Sequence, residues 1–181
     1  MPAAIPTRRR RLAAWAAGLA AVAALLAFGL GKSGSSDRPA PALPTSALAG
    51  PPITLAALLG SGTQAPGAPH AALVVFWASW CEPCQHEAPA VERFAQSPAG
   101  RGRIVGVDYG ESELSGPRAF LRHYDWTFAN LRDPDARAGE AYGVTSLPNI
   151  FAVDARGRIV QTLRGPQTER SLAQALAAAS S

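Results

Sequence analysis

The chain has 181 residues, enough for one globular domain with extensions. Its formal charge of +4 would suit a nucleic-acid partner, but Arg8, Arg9, Arg10, Arg11 and Lys32 all lie in residues 1–32, which hold no acid; without them the balance is twelve basic to thirteen acidic side chains, scattered as on a solvated surface, which argues against nucleic-acid binding. The two cysteines form one C-x-x-C, too few for a disulfide framework, and no second C-x-x-C or H-x-x-x-H supplies the remaining ligands of a zinc site.

Residues 1–11 read as a basic cytoplasmic tail. Residues 12–31, from Leu12 to Gly31, carry no charge, and twenty such residues suffice to cross a bilayer core as a helix. The arginines on the N-terminal side place everything after Lys32 outside the cytoplasm. A cleaved signal peptide is the rival, with Ala27-Phe28-Gly29 as a weak small-x-small site, but the apolar run is long for a signal and favours an uncleaved anchor. Residues 32–50, rich in Ser, Gly, Pro and Ala, read as a flexible linker.

The globular domain is expected over 51–181. Ile53-Thr54-Leu55 suggests a short strand, and Ser61 to Pro69 a loop. Leu73-Val74-Val75-Phe76 is a continuous apolar run, which fits a strand buried on both faces. A helix from Pro83 to about Gln96 follows, with Pro89 expected to kink it. Ile104 to Val107 is a second buried strand. Helices are predicted over Pro117–Tyr124 and over Pro134–Tyr142, the latter N-capped by Asp133. Ile150–Val153 and Arg158–Leu163 form a β-hairpin around the turn Asp154–Gly157. Thr168 caps a last helix that ends near Ala179. A parallel crossover first and an antiparallel hairpin second give an α/β, thioredoxin-like layout, a central mixed β-sheet flanked by helices.

Trp80-Cys81-Glu82-Pro83-Cys84 falls at the junction of the buried strand and the first long helix. A thiolate is the species that attacks a disulfide. At a helix N-terminus the unpaired amides and the macrodipole favour negative charge, so Cys81 is expected to ionise below the free-cysteine value of about 8.5. The first helical turn brings Cys84 beside it, where Cys84 can resolve a mixed disulfide formed at Cys81. Pro83 costs no hydrogen bond in the first turn and stiffens it. Trp80 offers a flat apolar surface beside the sulfur, and Glu82 opposes thiolate formation modestly. An inert structural disulfide is the plain alternative, but a loop this small is a poor staple. Glu87 lies one turn beyond Cys84 on the same face, where it can tune the cysteines and relay a proton; a solvated surface glutamate is the rival.

The run Phe76-Trp77-Ala78-Ser79-Trp80-Cys81-Glu82-Pro83-Cys84, continued by Gln85-His86-Glu87-Ala88-Pro89, resembles thioredoxin-like proteins of the TlpA, ResA and DsbE (CcmG) group. Gly106-Val107-Asp108-Tyr109 and Tyr142 to Pro148 match as well, as does Val153 to Val160, and the resemblance covers about residues 50–178. It implies an extracytoplasmic protein-disulfide reductase, single-pass in the cell membrane and monomeric, whose redox group is the Cys81–Cys84 disulfide with no other cofactor and no metal. Its clients would be protein disulfides, with the haem-binding cysteines of apocytochrome c among them, and a membrane-embedded thiol carrier would supply electrons. Pro148 would be a cis-proline facing the cysteines, with the Leu147 backbone pairing to an extended client. Cytoplasmic thioredoxins carry a buried Asp where this chain has Val75, so a proton acceptor for Cys84 must come from elsewhere.

Three other readings carry less. A DsbA-like oxidant usually has a helical insertion, for which the stretch from Cys84 to Pro148 leaves little room. A copper chaperone for oxidase assembly would recruit a histidine to the cysteines; His86 is near, but a polar surface residue suits it better. A thiol peroxidase lacks its usual upstream signature. His70 and His123 have no assignment, and Asn149 is a weak candidate for touching substrate.

Overall fold

The computed structural model describes residues 37–60 and 69–181. The expected tail, the anchor, residues 32–36 of the linker and most of the Ser61–Pro69 loop lie outside the described residues. Among those described, no helix is long and apolar enough to cross a membrane.

One seven-stranded sheet organises this unit, in the order β1-β7-β6-β3-β4-β5-β2. The strands are β1 (Arg38–Pro39), β2 (Ala47–Ala49), β3 (Ala72–Trp77), β4 (Ile104–Tyr109), β5 (Asn130–Asp133), β6 (Asn149–Val153) and β7 (Arg158–Arg164). The helices are α1 (Leu55–Leu58), α2 (Glu82–Gln96), α3 (Ser115–His123), α4 (Arg137–Tyr142) and α5 (Glu169–Ala179). β3 runs parallel to β4, and β4 to β5; β6 lies antiparallel to both β3 and β7. This is the thioredoxin-like mixed sheet that the element order implies.

Every residue of β3 is buried, as its unbroken apolar run requires. Alternation along the strands divides the core in two. Leu73, Val75 and Trp77 pack with α2, α3 and α5 on one face. Val74 and Phe76 pack with Leu58 of α1 and Tyr142 of α4 on the other. α2 runs unbroken through Pro89 from its cap at Cys81. The predicted capping of α5 by Thr168 is observed as a reciprocal box with Ser171.

Three expectations are corrected, and one strand had not been expected. Ile53-Thr54-Leu55 is not a strand: Thr54 caps α1, its Oγ1 accepting from the Ala57 N–H at 3.1 Å. The linker reading of 32–50 fails from residue 37 onward, and the domain begins before residue 51. β1 and β2 join opposite edges of the sheet, Leu43 between them is buried, and the Tyr142 hydroxyl donates to Pro41 O at 2.8 Å. The segment is too polar to order itself, but it borrows hydrogen bonds and apolar cover from a core already built. β5 was unforeseen, because Asn130-Leu131-Arg132-Asp133 has one apolar residue and no period. The helix expected from Pro134 begins at Arg137, and Asp133 ends β5 rather than serving as the N-cap residue. Asp133 still caps the helix from upstream: its carboxylate accepts from the Ala138 and Gly139 N–H groups at 3.0 and 2.8 Å.

Candidate active site

β3 delivers the chain to the end of the sheet at Trp77, and residues 78–81 turn it into α2. The Trp77 ring is fixed from three sides. It stacks on Phe120 with 4.4 Å between centroids, meets Trp126 edge-on at 5.1 Å, and donates from Nε1 to Asn130 Oδ1 at 3.0 Å. Gly106 leaves the room for that bond, since a Cβ there would stand 1.8 Å from Asn130 Oδ1. Gly106→Ala is therefore expected to cost about 2–4 kcal/mol, read from the urea midpoint, by overpacking and by leaving a buried indole N–H unpaired.

Cys81 and Cys84 form a disulfide with their Cα atoms 5.2 Å apart, closing the first turn of α2. Cys81 is the N-cap of that helix: its Sγ accepts from the Cys84 N–H at 3.2 Å. The same N–H that caps the helix thus favours negative charge on the Cys81 sulfur. Both cysteines are buried, Cys81 being 4% exposed and Cys84 1%. Both belong to the core on the α2 face, and Cys81 is the nearer to solvent. Trp80 beside it is 65% exposed, the exposed large hydrophobic residue of the described surface. Glu82 and Pro83 are exposed as well, and so is His86. Among the described residues, no group of three His, Cys, Asp or Glu side chains is placed to hold a metal ion.

The Leu147–Pro148 peptide bond is cis. Asn149 pairs with Phe76, so Pro148 stands at the end of the sheet where β3 gives way to the cysteine loop. Leu147, half-buried, packs against the core that contains both cysteines. Asn149 is fully buried and shares its strand face with Phe151 and Val153, on the side away from α2.

Glu87 is not a solvated surface residue. It is 2% exposed, and its carboxyl is pushed up to about 8 by burial; the Gln167 N–H, donating to Oε2 at 2.8 Å, pulls the other way but does not win. Oε1 accepts no hydrogen bond. The loop that reaches Glu87 also reaches the proline, since the Gly165 N–H donates to Pro148 O at 3.1 Å. One short connection before α5 therefore ties the cis-proline to the buried glutamate.

Sequence reasoning missed Asp108 and Glu111. Asp108, the penultimate residue of β4, is fully buried, its carboxyl pushed up to about 8, first by burial and then by Glu111. The signal was present: an acid continuing the apolar run Ile104-Val105-Gly106-Val107 in a buried strand. Glu111 in the next loop holds Ser79, two residues before Cys81, by two hydrogen bonds of 2.6 Å. A groove of about 480 Å³ opens beside this contact, lined by Gln85, Gly116, Phe120, His123 and Tyr124.

The chain is similar to known proteins over part of its length. The chain is 30% identical over 102 residues to the thiol-disulfide oxidoreductase ResA of Bacillus thuringiensis, covering 56% of this chain and 58% of that protein. It is 36% identical over 98 residues to the thiol:disulfide interchange protein DsbE homologue of Paracoccus denitrificans, covering 54% of this chain and 52% of that protein. The chain thus spans between about half and three-fifths of the length of these relatives. The structure of a thioredoxin-family thiol:disulfide interchange protein from Chlorobium tepidum TLS superposes with a TM-score of 0.64 at 26% identity, over 80% of this chain and 97% of that one. The AhpC/TSA family pattern matches residues 38–162, the stretch holding the cysteine pair, Glu87 and the cis-proline, and the chain belongs to the AhpC/TSA family.

Proposed function

We propose that the chain is a thiol–disulfide oxidoreductase that reduces protein disulfides outside the cytoplasm. The observation that carries this reading is the Cys81–Cys84 disulfide at the cap of α2, with Cys81 next to an exposed Trp80 and Cys84 more deeply buried, three residues before the buried Glu87. In the reduced protein the Cys81 thiolate attacks one sulfur of a client disulfide. The client S–S bond breaks, the leaving sulfur takes a proton, and a mixed disulfide forms at Cys81. Cys84 then gives up its proton and attacks Cys81 Sγ, releasing the second client thiol. Two electrons pass to the client, and the protein is left with the bond seen here.

Glu87 is the proposed partner of Cys84 in that proton transfer. A carboxyl ionising at about 8 exists in both forms near neutral pH: the ionised fraction accepts the Cys84 proton during client reduction, and the protonated fraction returns it when a donor reopens the disulfide. Trp80 and the Leu147 backbone, beside cis-Pro148, form the proposed client surface, and an extended client adds to Leu147 as a strand. The 12–31 segment is the proposed anchor, a membrane-embedded thiol carrier the electron donor, and apocytochrome c one candidate client.

The reduction potential tests the direction of electron flow. Equilibration with glutathione or a thioredoxin couple is expected to give a thioredoxin-like value near about −270 mV. A value near about −120 mV would make the protein an oxidant and overturn the reductase reading.

A further inference from the structure

The buried acid at the end of β4 has no part in the exchange chemistry, yet its surroundings tie it to the loop that carries Cys81. Neither carboxyl oxygen of Asp108 accepts a hydrogen bond. Facing it are the Glu111 carboxyl from the β4–α3 loop and, from β5, Arg132, which lowers its pKa, and Asp133, which raises it. The Glu111 carboxyl also raises the Asp108 pKa through a side-chain hydrogen bond, which two carboxyl groups share only when one of them carries a proton. Both Glu111 oxygens face Ser79: Oε2 accepts from the Ser79 N–H and Oε1 from its hydroxyl, each at 2.6 Å. Gln85 Nε2 closes the third side by donating to Ser79 O at 2.9 Å. A Cβ on Gly116 would come within 2.5 Å of Ser79 Oγ, so α3 packs directly onto this contact.

We propose that Glu111, backed by Asp108, is a positioning residue that clamps Ser79 and thereby fixes the Cys81 sulfur at the N-terminus of α2. The proposal rests on the reading of Cys81 as the attacking sulfur. The clamp touches no reacting atom; it sets where the attacking sulfur stands. With one proton on the pair, Glu111 meets both Ser79 donors and its neighbour's O–H at once. Loss of that proton places two charges side by side in a buried site, with Arg132 as the cation facing them, and repulsion loosens the hold on Ser79.

Amide NMR of the oxidised protein, in which the cysteines do not titrate, tests the clamp together with the rate at which iodoacetamide alkylates Cys81 in the reduced protein. The Ser79 amide is expected to titrate with a midpoint near pH 8. Asp108→Asn and Glu111→Gln should both abolish that titration, and Glu87→Gln should leave it in place. Asp108→Asn gives Glu111 a permanent donor, and Glu111→Gln keeps an acceptor for the Ser79 N–H, so each should be alkylated within about threefold of the wild-type rate. Glu111→Ala should be slower by about tenfold or more, the loss of a charge-assisted bidentate contact. A Ser79 amide indifferent to pH, or one whose titration survives Asp108→Asn, would overturn the shared proton. Glu111→Ala alkylated at the wild-type rate would overturn the positioning role. The amide titration needs no client, so a failure of the clamp is distinguishable from a failure of the functional reading.

Discussion

Cys81→Ser is expected to lower disulfide exchange by roughly a thousandfold or more, to the background of the assay, because the hydroxyl that replaces the thiol is a far weaker nucleophile. Cys84→Ser is expected to behave differently. It keeps the attacking sulfur at the helix cap, so the first half of the exchange proceeds, and the protein stalls as a mixed disulfide with its client. The asymmetry follows from the structure: Cys81 is the cap residue next to exposed Trp80, and Cys84, in the first turn of α2, is the more deeply buried of the two. Non-reducing gels of the two variants, followed by mass spectrometry of the trapped species, measure the difference. Equal trapping by both variants would contradict the assignment of attacker and resolver. If apocytochrome c never appears in the Cys84→Ser adducts while cytochrome c levels depend on this protein, apocytochrome c is not its direct client.

The second large effect is expected at Glu87, and it has opposite signs on stability and on rate. The folded-state carboxyl ionises near 8 rather than near 4.5, because burial penalises its charge. Between those two values the folded state holds a proton that the unfolded chain has released. The stability associated with the protonated carboxyl is therefore complete below about pH 4.5 and is lost as pH rises through 8. Gln at this position is neutral at every pH and still offers an oxygen to the Gln167 N–H. Glu87→Gln is thus expected to stabilise the fold by about 2–3 kcal/mol at pH 7, with a gain of about 1 kcal/mol or less at pH 5, measured as urea midpoints at the two pH values. The same variant should resolve mixed disulfides about a hundredfold more slowly, since it cannot take the Cys84 proton. A variant that is more stable and equally fast would leave Glu87 without a proton-transfer role. A variant that is slower and less stable would mean that the carboxylate, rather than the acid, holds the loop at Gln167.

The residues gathered at the candidate site were legible because chemistry and local structure coincide at them. A Trp-Cys-x-Pro-Cys run between a buried strand and a helix has few uses besides redox exchange, and an i, i+3 spacing put Glu87 on the face of Cys84. The cis geometry at Pro148 came from resemblance rather than from physics, since nothing in Ser146-Leu147-Pro148 alone selects an isomer. The illegible parts were those decided by distant neighbours. β5 is a strand because β4 and β2 flank it, not because its residues alternate. β1 and β2 take their hydrogen bonds from β7 and β5. The Asp108–Glu111 pair was hidden for the same reason: Glu111 reads as an ordinary loop acid until Ser79, more than thirty positions earlier, is seen between its oxygens.

The pairing of β1 with β7 bears on how the domain is made. Asp37 forms an ion pair with Arg158, 121 residues away, and the short strand beside it closes one edge of the sheet. A ribosome must therefore synthesise nearly the whole domain before its first strand finds a partner. The cysteines emerge long before β6, β7 and α5, which complete the core around Cys84. During that interval both thiols are open to any oxidant, and contacts of such long range form slowly. A nascent chain of this design is at its most reactive before it has a fold with which to govern its own sulfurs.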